Sequence, residues 1–224
     1  MYKKENNIIA IDSGYKNSNK IIAELRKIGI NENDILDVFI THLDLDHAGG
    51  MDSKCKIVFP NAKTHIGKIE EKYLKNKLNR KQIGFIGLKT PISLLDGYNT
   101  LEDMEIKNIG NIKIQAFLIP GHTLGHLCYF IDDKFLFTGD SIILVKGEGY
   151  SFYNQWNVDS IMNMRSLEKL KNLIDFNNIE KVITSHSGFT NDKFSAFSHI
   201  NELPKWREKG FKVNDNAPYN PYSN

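Results

Sequence analysis

The sequence predicts an α+β fold in which helices cover β-sheets. Short apolar runs typical of strands alternate with segments whose apolar residues recur at helical spacing. Strands and helices in this mixture bury their apolar faces against each other. Several predicted strands also end in a turn that carries histidine or aspartate, and strand ends are rigid enough to hold metal ligands.

Composition narrows the class of protein. A chain of 224 residues suits one domain with a substantial core, and a formal net charge of +2 gives no reason to expect nucleic acid or an anionic membrane as partner. No apolar stretch resembles a signal peptide, and none approaches the roughly 20 residues that span a bilayer. We therefore expect a cytoplasmic protein with no nucleic-acid or membrane partner. Cys55 and Cys128 are expected to be reduced and buried.

The elements follow from periodicity and from turn residues. Strands are predicted at residues 8–11, 35–40, 57–59, 63–66, 112–119, 127–131, 135–138 and 179–184. Helices are predicted at residues 19–28, 68–78, 159–174 and 194–208. Residues 79–105 give no clear assignment. We expect one domain over residues 1–209 and an extended, proline-broken tail over residues 210–224.

The densest group of metal-ligand residue types follows the strand at residues 35–40. The segment THLDLDHAGG, residues 41–50, places four of them within six positions: His42, Asp44, Asp46 and His47. In a turn, these side chains can converge on one point, and the following glycines let the backbone bend. The competing interpretation is a polar loop whose aspartates cap a helix that begins near His47.

Three further strand ends repeat this pattern. PGHTLGH carries His122, TGDS carries Asp140 and SHSG carries His186. Each motif alone is weak, because a single histidine at a strand end is more often structural. Together they indicate a metal site assembled from residues spread along the chain.

The order IDSG, THLDLDHAGG, PGHTLGH, TGDS and SHSG resembles the metallo-β-lactamase-like superfamily over roughly residues 8–190. The resemblance implies a four-layer αββα sandwich with two divalent metal ions at one edge, zinc being the expected ion. The implied ligands are His42 and His122 for metal 1, Asp140 as the bridge, and Asp46, His47 and His186 for metal 2. Asp12, in the IDSG turn, is implied to have a structural or supporting role.

One position departs from the family pattern His-x-His-x-Asp-His. Asp44 replaces the second histidine, so it either binds a shifted metal 1 or acts through a water molecule. Asp44, Asp46 and Asp140 then supply three negative charges where the usual set has two, which favours manganese or iron as alternatives to zinc. Because the metal-2 set is complete, we expect that site to be the better occupied.

The segment before IDSG is short, and the first sheet is expected to lack a strand. The exposed sheet edge would then be covered by a second copy of the chain in a homodimer or by the tail after residue 209.

The resemblance implies a hydrolase in which a metal-bridged hydroxide cleaves an ester, thioester, lactone or phosphodiester. Asp46 and Asp140 would hold the nucleophile through the metals, and Asp44 would take or relay a proton. Lactonases of the family carry a tyrosine three residues after the bridging aspartate, where this chain has Ile143. The alternative is a non-haem iron redox enzyme, either persulfide dioxygenase-like or diiron, since His42, His122 and Asp140 form a two-histidine, one-carboxylate set.

The sequence gives less support for a functional role of the remaining histidines. His126 either supports a metal ligand by a hydrogen bond or is a core histidine, and both interpretations remain open. His65 is expected to have a surface or core role, and His199 no functional one.

Overall fold

The computed structural model of the chain describes residues 1–83 and 86–204. The fold divides into two compact units, Met1–Leu118 and Ile119–Asn224. The single domain expected over residues 1–209 stays a prediction, and the expected tail at residues 210–224 lies outside the described residues. Within the described residues, no helix is long and apolar enough to cross a membrane.

The first unit is built on a five-stranded mixed sheet. Its strands lie in the order β1-β2-β3-β4-β7, with β1 at Tyr2–Lys4, β2 at Asn7–Ile11, β3 at Asp37–Phe39, β4 at Lys63–Gly67 and β7 at Asn99–Leu101. β1 pairs antiparallel with β2, and the other neighbours are parallel. Ile9, Ala10, Val38 and Phe39 are fully buried, which explains why β2 and β3 are the most apolar segments of this sheet.

Parallel pairing decides where the polar turns of this unit lie. The carboxyl ends of β2 and β3 point toward the same sheet edge, so Asp12 and His42 follow neighbouring strands there. The connection between these strands is helix α1, Asn19–Lys27, which buries Ile22 and Leu25. Gly29, with φ of +73°, follows this helix, and its N–H donates to the carbonyl of Arg26, as expected for a glycine stop.

The rest of the first unit consists of short helices and hairpins. The short helices are α2 at Leu45–Ala48 and α3 at Glu71–Leu74. The hairpins pair β5, Lys81–Ile83, with β6, Ile86–Leu88, and β8, Ile106–Ile109, with β9, Ile112–Leu118.

The second unit carries four paired strands in the order β15-β14-β11-β10. They are β10 at Leu127–Ile131, β11 at Phe135–Gly139, β14 at Lys181–Thr184 and β15 at Phe189–Thr190. The hairpin of β12, Ile142–Val145, and β13, Glu148–Ser151, follows β11 in the chain and forms a separate two-stranded sheet. The unit's helices are α4, Ser160–Leu173, and α5, Lys193–Ala196, and the side chain of Asp159 caps the first of them.

Two mixed sheets flanked by helices confirm the predicted α+β class. Several local predictions were wrong. Residues 57–59 form no strand, because Val58 and Phe59 are buried in a loop, and their apolar character reflects burial alone. The helix predicted at residues 68–78 is only α3, since Asn76 adopts a left-handed φ of 55°. The helix predicted from residue 194 ends at Ala196 within the described residues. A short edge strand, β1, precedes β2, where the sequence predicted a missing strand.

The two cysteines differ in their surroundings. Cys128 is fully buried on β10, with Sγ 3.3 Å from Oγ of Ser141, and burial raises the pKa of its thiol to about 12. Cys55 is only half-buried. The expected reduced state of both holds for the structure, but the expected burial holds for Cys128 alone.

We predict that a thiol reagent at pH 8 modifies one cysteine of the folded chain and two of the chain unfolded in guanidinium. The thiolate is the reactive form, and a thiol with a pKa near 12 is almost entirely protonated at that pH. Spectrophotometric counting of the released chromophore measures this, with Cys55→Ser as the control that should abolish the fast reaction. Rapid reaction of both thiols in the folded chain would contradict the packing described for β10.

Candidate metal centre

The first group of candidate ligands follows β3 in the first unit. His42 and His47 are buried, with their ring centroids 4.0 Å apart. Helix α2 begins directly after Asp44, but the Asp44 side chain makes no capping bond to it. The competing capping interpretation is therefore wrong for Asp44, whose carboxylate is engaged elsewhere.

A side-chain partner orients each of these two histidine rings. Nδ1 of His47 lies 2.8 Å from Oδ2 of Asp12, and Nδ1 of His42 lies 3.0 Å from Oγ1 of Thr41. Asp12 also accepts the backbone N–H and the hydroxyl of Thr41. A ring held through Nδ1 presents Nε2 to a metal ion, so Asp12 has the supporting role that the sequence suggested.

The Nε2 atoms of the two rings face carboxylates. Nε2 of His42 lies 3.4 Å from Oδ2 of Asp44, and Nε2 of His47 lies 3.8 Å from Oδ2 of Asp46. These distances are too long for good hydrogen bonds. The first unit thus brings together four of the predicted ligands: His42, Asp44, Asp46 and His47.

Asp44 has a partner that the sequence did not predict. Nε and Nη2 of Arg80 donate to its two carboxylate oxygens at 2.5 and 2.6 Å, which is a bidentate ion pair. Burial is the largest single effect and disfavours the charged guanidinium, but the hydrogen bonds to Asp44 and the nearby negative charges together raise the pKa of Arg80 above its usual value. Arg80 therefore offsets the third negative charge that the sequence assigned to this ligand set.

The second group of candidate ligands lies in the second unit. β11 and β14 are parallel neighbours, so Asp140 and His186, which follow these strands, leave the same sheet edge. Oδ2 of Asp140 lies 3.2 Å from Nε2 of His186 and 3.6 Å from Nε2 of His122. Asp140 and His122 are buried, whereas His186 is 40% exposed at its side chain. This unit thus brings together the other three predicted ligands.

Two further residues hold this group in place. Nδ1 of His122 lies 3.2 Å from Oδ1 of Asn157, whose amide nitrogen donates to the carbonyl of Phe152. The backbone N–H of Asp140 donates to Nε2 of His126 at 3.0 Å. His126 therefore accepts a hydrogen bond through Nε2 from the backbone of Asp140, and both interpretations of this buried histidine stay open. No sequence pattern points to Asn157, which lies 35 residues from the histidine it orients.

The other two histidines have structural surroundings. His65 is buried in the first sheet, where it stacks on Phe39 and its Nε2 lies 2.7 Å from Oδ1 of Asp37. His199 stacks on Tyr150. Both observations agree with the non-catalytic readings of these residues.

The spacing of donor atoms within each unit suits a metal ion. Around a tetrahedral ion with Zn–N bonds of about 2.0–2.1 Å, neighbouring ligand atoms lie about 3.3–3.4 Å apart. The histidine–carboxylate pairs described above span 3.2–3.8 Å, close to that separation. The two histidine–aspartate groups therefore supply donors of the kind and number that a binuclear site uses.

The sheets, the helices and these donors define a class of α+β protein with a histidine–aspartate metal centre. The chain belongs to the metallo-β-lactamase superfamily, whose family model matches residues 2–186. This confirms the family and the fold that the sequence motifs predicted.

Curated relatives of this chain include proteins named hydroxyacylglutathione hydrolase and glyoxylase. The chain is 33% identical over 135 residues to a hydroxyacylglutathione hydrolase of Pelagibacter ubique (strain HTCC1062), a match that covers 58% of the chain and 47% of the relative. It is 31% identical over 132 residues to glyoxylase B2 of Dictyostelium discoideum, covering 58% of the chain and 42% of the relative. The chain thus spans less than half the length of these relatives.

Solved structures share the fold. An archaeal metallo-β-lactamase superfamily protein from Sulfolobus tokodaii superposes with a TM-score of 0.61 and 23% identity, over 88% of this chain and 76% of that one. AidC, described as a dizinc quorum-quenching lactonase, superposes with a TM-score of 0.63 and 22% identity, over 84% of this chain and 72% of that one.

We predict that Asp12→Asn weakens zinc binding about 10- to 100-fold, because it removes the carboxylate that orients His47. Competition with a chromophoric chelator measures the affinity. Asp37→Asn is the matched control, since it removes the carboxylate that holds His65 in the same sheet. Equal losses of zinc affinity in both variants would show that the effect is general destabilisation.

Gly121, directly before His122, has a φ of +147°. A Cβ at this position would lie 2.3 Å from Cβ of Asn163 on α4, whereas a Cβ at Gly147, with φ of +88°, would meet nothing within 4 Å. We predict that Gly121→Ala lowers the free energy of unfolding by about 1–3 kcal/mol more than Gly147→Ala, because only the first adds a steric clash to backbone strain. Urea unfolding measures the difference, and equal effects would mean that strain alone matters.

Proposed function

We propose that this chain is a metal-dependent hydrolase that cleaves a thioester, or a related ester, lactone or phosphodiester, in a small-molecule substrate. The observation that carries the proposal is the position of the Asp140 carboxylate, whose Oδ2 lies between the Nε2 atoms of two histidines at ligand-like distances. Membership of the metallo-β-lactamase superfamily supports it.

In this proposal, the predicted ligands would hold two divalent ions, with zinc as the expected metal. By resemblance to the family, His42, His122 and Asp140 would hold one ion and Asp46, His47 and His186 the second. The same resemblance would make Asp140 a ligand of both ions. The donor chemistry supports this division, because each set contains two neutral imidazoles and at least one carboxylate, as zinc sites in hydrolases do.

When bound, the ions would supply a hydroxide at neutral pH and polarise the substrate oxygen. The chain's own residues would place those donors and keep them rigid. Asp140 holds its position through the backbone bond to His126, and His122 holds its ring orientation through Asn157. Both partners are buried, so the donors they orient have little freedom to move.

Asp44 takes a different role from the one that the sequence suggested. Both of its carboxylate oxygens accept hydrogen bonds from Arg80, so the proposal leaves proton transfer to the nucleophile and solvent rather than to this residue. Of the three carboxylates first assigned to catalysis, Asp46 and Asp140 remain in that role.

A thioester is the substrate class favoured within this proposal. Three curated relatives named hydroxyacylglutathione hydrolase, including the one from Pelagibacter ubique, are 30–33% identical to this chain over the matched residues. Ile143, at the position where lactonases of the family carry a tyrosine, is 2% exposed on β12 and offers no hydroxyl to a lactone. This argues against the lactone reading and leaves the thioester as the first substrate to assay.

The engaged state of Asp44 also favours one competing function. If Asp44 stays with Arg80, the first ion has only two histidines and one carboxylate, the set used by non-haem iron oxygenases. The complete second donor set, Asp46, His47 and His186, supports the hydrolase instead, since iron oxygenases of that type need a single ion. Metal content distinguishes the two functions.

We predict about two equivalents of zinc per chain after purification without oxygen and without added metal, and release of thiol from an acyl-glutathione thioester under nitrogen. Asp140→Asn should lower kcat/KM at least about 100-fold and reduce the bound metal, since this carboxylate is placed in both ion sites. Asp96→Asn, an exposed aspartate outside both donor groups, is the control and should match the wild type.

Plasma mass spectrometry and a thiol-release assay measure the two quantities. Iron as the dominant metal, with oxygen consumed in the presence of a persulfide and no thioester turnover, would replace the hydrolase by the redox function.

A further inference from the structure

The ion pair of Arg80 and Asp44 is built into the loop that carries the first ligands. The planar guanidinium donates two hydrogen bonds to the two carboxylate oxygens, and the side chains are only 13% and 24% exposed. Only an arginine can make this bidentate contact, because a lysine offers a single point charge. Only four of the chain's 29 basic residues are arginines, and one of them lies at this position.

Arg80 is itself held against the ligand loop. Its backbone N–H donates to the carbonyl of Leu88 and closes the base of the β5–β6 hairpin. Just beyond that hairpin, the hydroxyl of Thr90 donates to the carbonyl of Leu43, the residue before Asp44. The N–H of Leu43 donates to the buried carboxylate of Glu70. Hydrogen bonds on both sides of the hairpin therefore connect it to the loop that carries Asp44 and hold the backbone of Arg80 in place.

We propose that Arg80 is a positioning residue that keeps the Asp44 carboxylate away from the first metal ion. This rests on the proposed metal centre, in which that ion takes His42, His122 and Asp140. Oδ2 of Asp44 lies 3.4 Å from Nε2 of His42, close enough for both atoms to join one ion after a small rotation of the carboxylate. The rotation requires the carboxylate to leave a largely buried guanidinium, which is unfavourable.

Arg80 would in this way control how many ligands the first metal ion has. With Arg80 in place, the first ion keeps open positions for water and substrate, as a catalytic ion needs. Without Arg80, Asp44 becomes an additional anionic ligand that fills one of these positions. Arg80 thereby determines coordination number and ion preference without touching the ion or the substrate.

The test uses cobalt(II) bound to the full chain, because its visible absorption reports coordination number independently of activity. Arg80→Gln should lower the absorption intensity, as expected for a higher coordination number, and tighten binding of the first cobalt ion about 10- to 100-fold in chelator competition. The double variant Arg80→Gln/Asp44→Asn lacks both charges and should return to the wild-type spectrum and affinity.

Arg26→Gln is the matched control. Arg26 forms a similar two-bond pair with Glu32 far from the ligand loop, so its loss should leave the cobalt spectrum unchanged. Thermal melts of all variants confirm that each is folded before the spectra are compared.

The outcomes separate the two proposals. If the wild type binds cobalt but Arg80→Gln has the same spectrum and affinity, Arg80 does not control coordination, and the proposed hydrolase stands. If the double variant binds cobalt more weakly than the wild type, Asp44 is already a ligand, and the inference is overturned. If the folded wild type binds no cobalt at all, both the inference and the proposed metal centre fail.

Discussion

A buried imidazole that binds a metal ion through Nε2 almost always has its Nδ1 held by a fixed partner, and such partners occur in both units. Asp12 is this partner for His47, Thr41 for His42 and Asn157 for His122. Thr41 directly precedes its histidine, but Asp12 and Asn157 each lie 35 residues from theirs, so the orientation of those two rings depends on segments far apart in the chain. The parallel neighbours β2–β3 and β11–β14 carry the donors to a common edge of each sheet.

The need for such a partner also explains the glycines around the ligand loops. A Cβ on Gly50 would lie 2.3 Å from the carbonyl oxygen of Ser13, so the ligand loop approaches the turn after β2 more closely than any other residue allows. The sequence predicts a tight backbone bend at Gly49 and Gly50, but Gly49 has an ordinary helical φ of −60°. The glycines are needed for close approach, which places Asp12 within reach of His47.

Much of this centre could be predicted from the sequence because it depends on local order. A strand that ends in a histidine or an aspartate is visible as an apolar run followed by a polar turn, and five such motifs in order identified the family. Arg80, Asn157 and the role of His126 could not be predicted, because their partners lie 36, 35 and 14 residues away at spacings that no local pattern fixes. The lengths of the short helices were overestimated for a related reason. A residue with left-handed backbone conformation, such as Asn76, ends a helix although no glycine or proline marks the position. The substrate could not be predicted either, because the family motifs specify the fold and the metal ligands but not the bond that is cleaved.

The charge of Arg80, which no sequence motif predicted, bears on the chemistry proposed for the ligand motifs, which the sequence did predict. Asp44, Asp46 and Asp140 with Arg80 carry a formal charge of −2 rather than −3. In the proposed centre, two divalent ions and a hydroxide would then retain a net positive charge with which to polarise a carbonyl oxygen, whereas three uncompensated carboxylates would cancel it. From the sequence alone, three aspartates favoured iron or manganese as alternatives to zinc, because their partner Arg80 could not be identified there. Once Arg80 is included, the electrostatic case for a hydrolytic zinc pair is restored, and it depends on a side chain at the base of a hairpin outside every ligand motif.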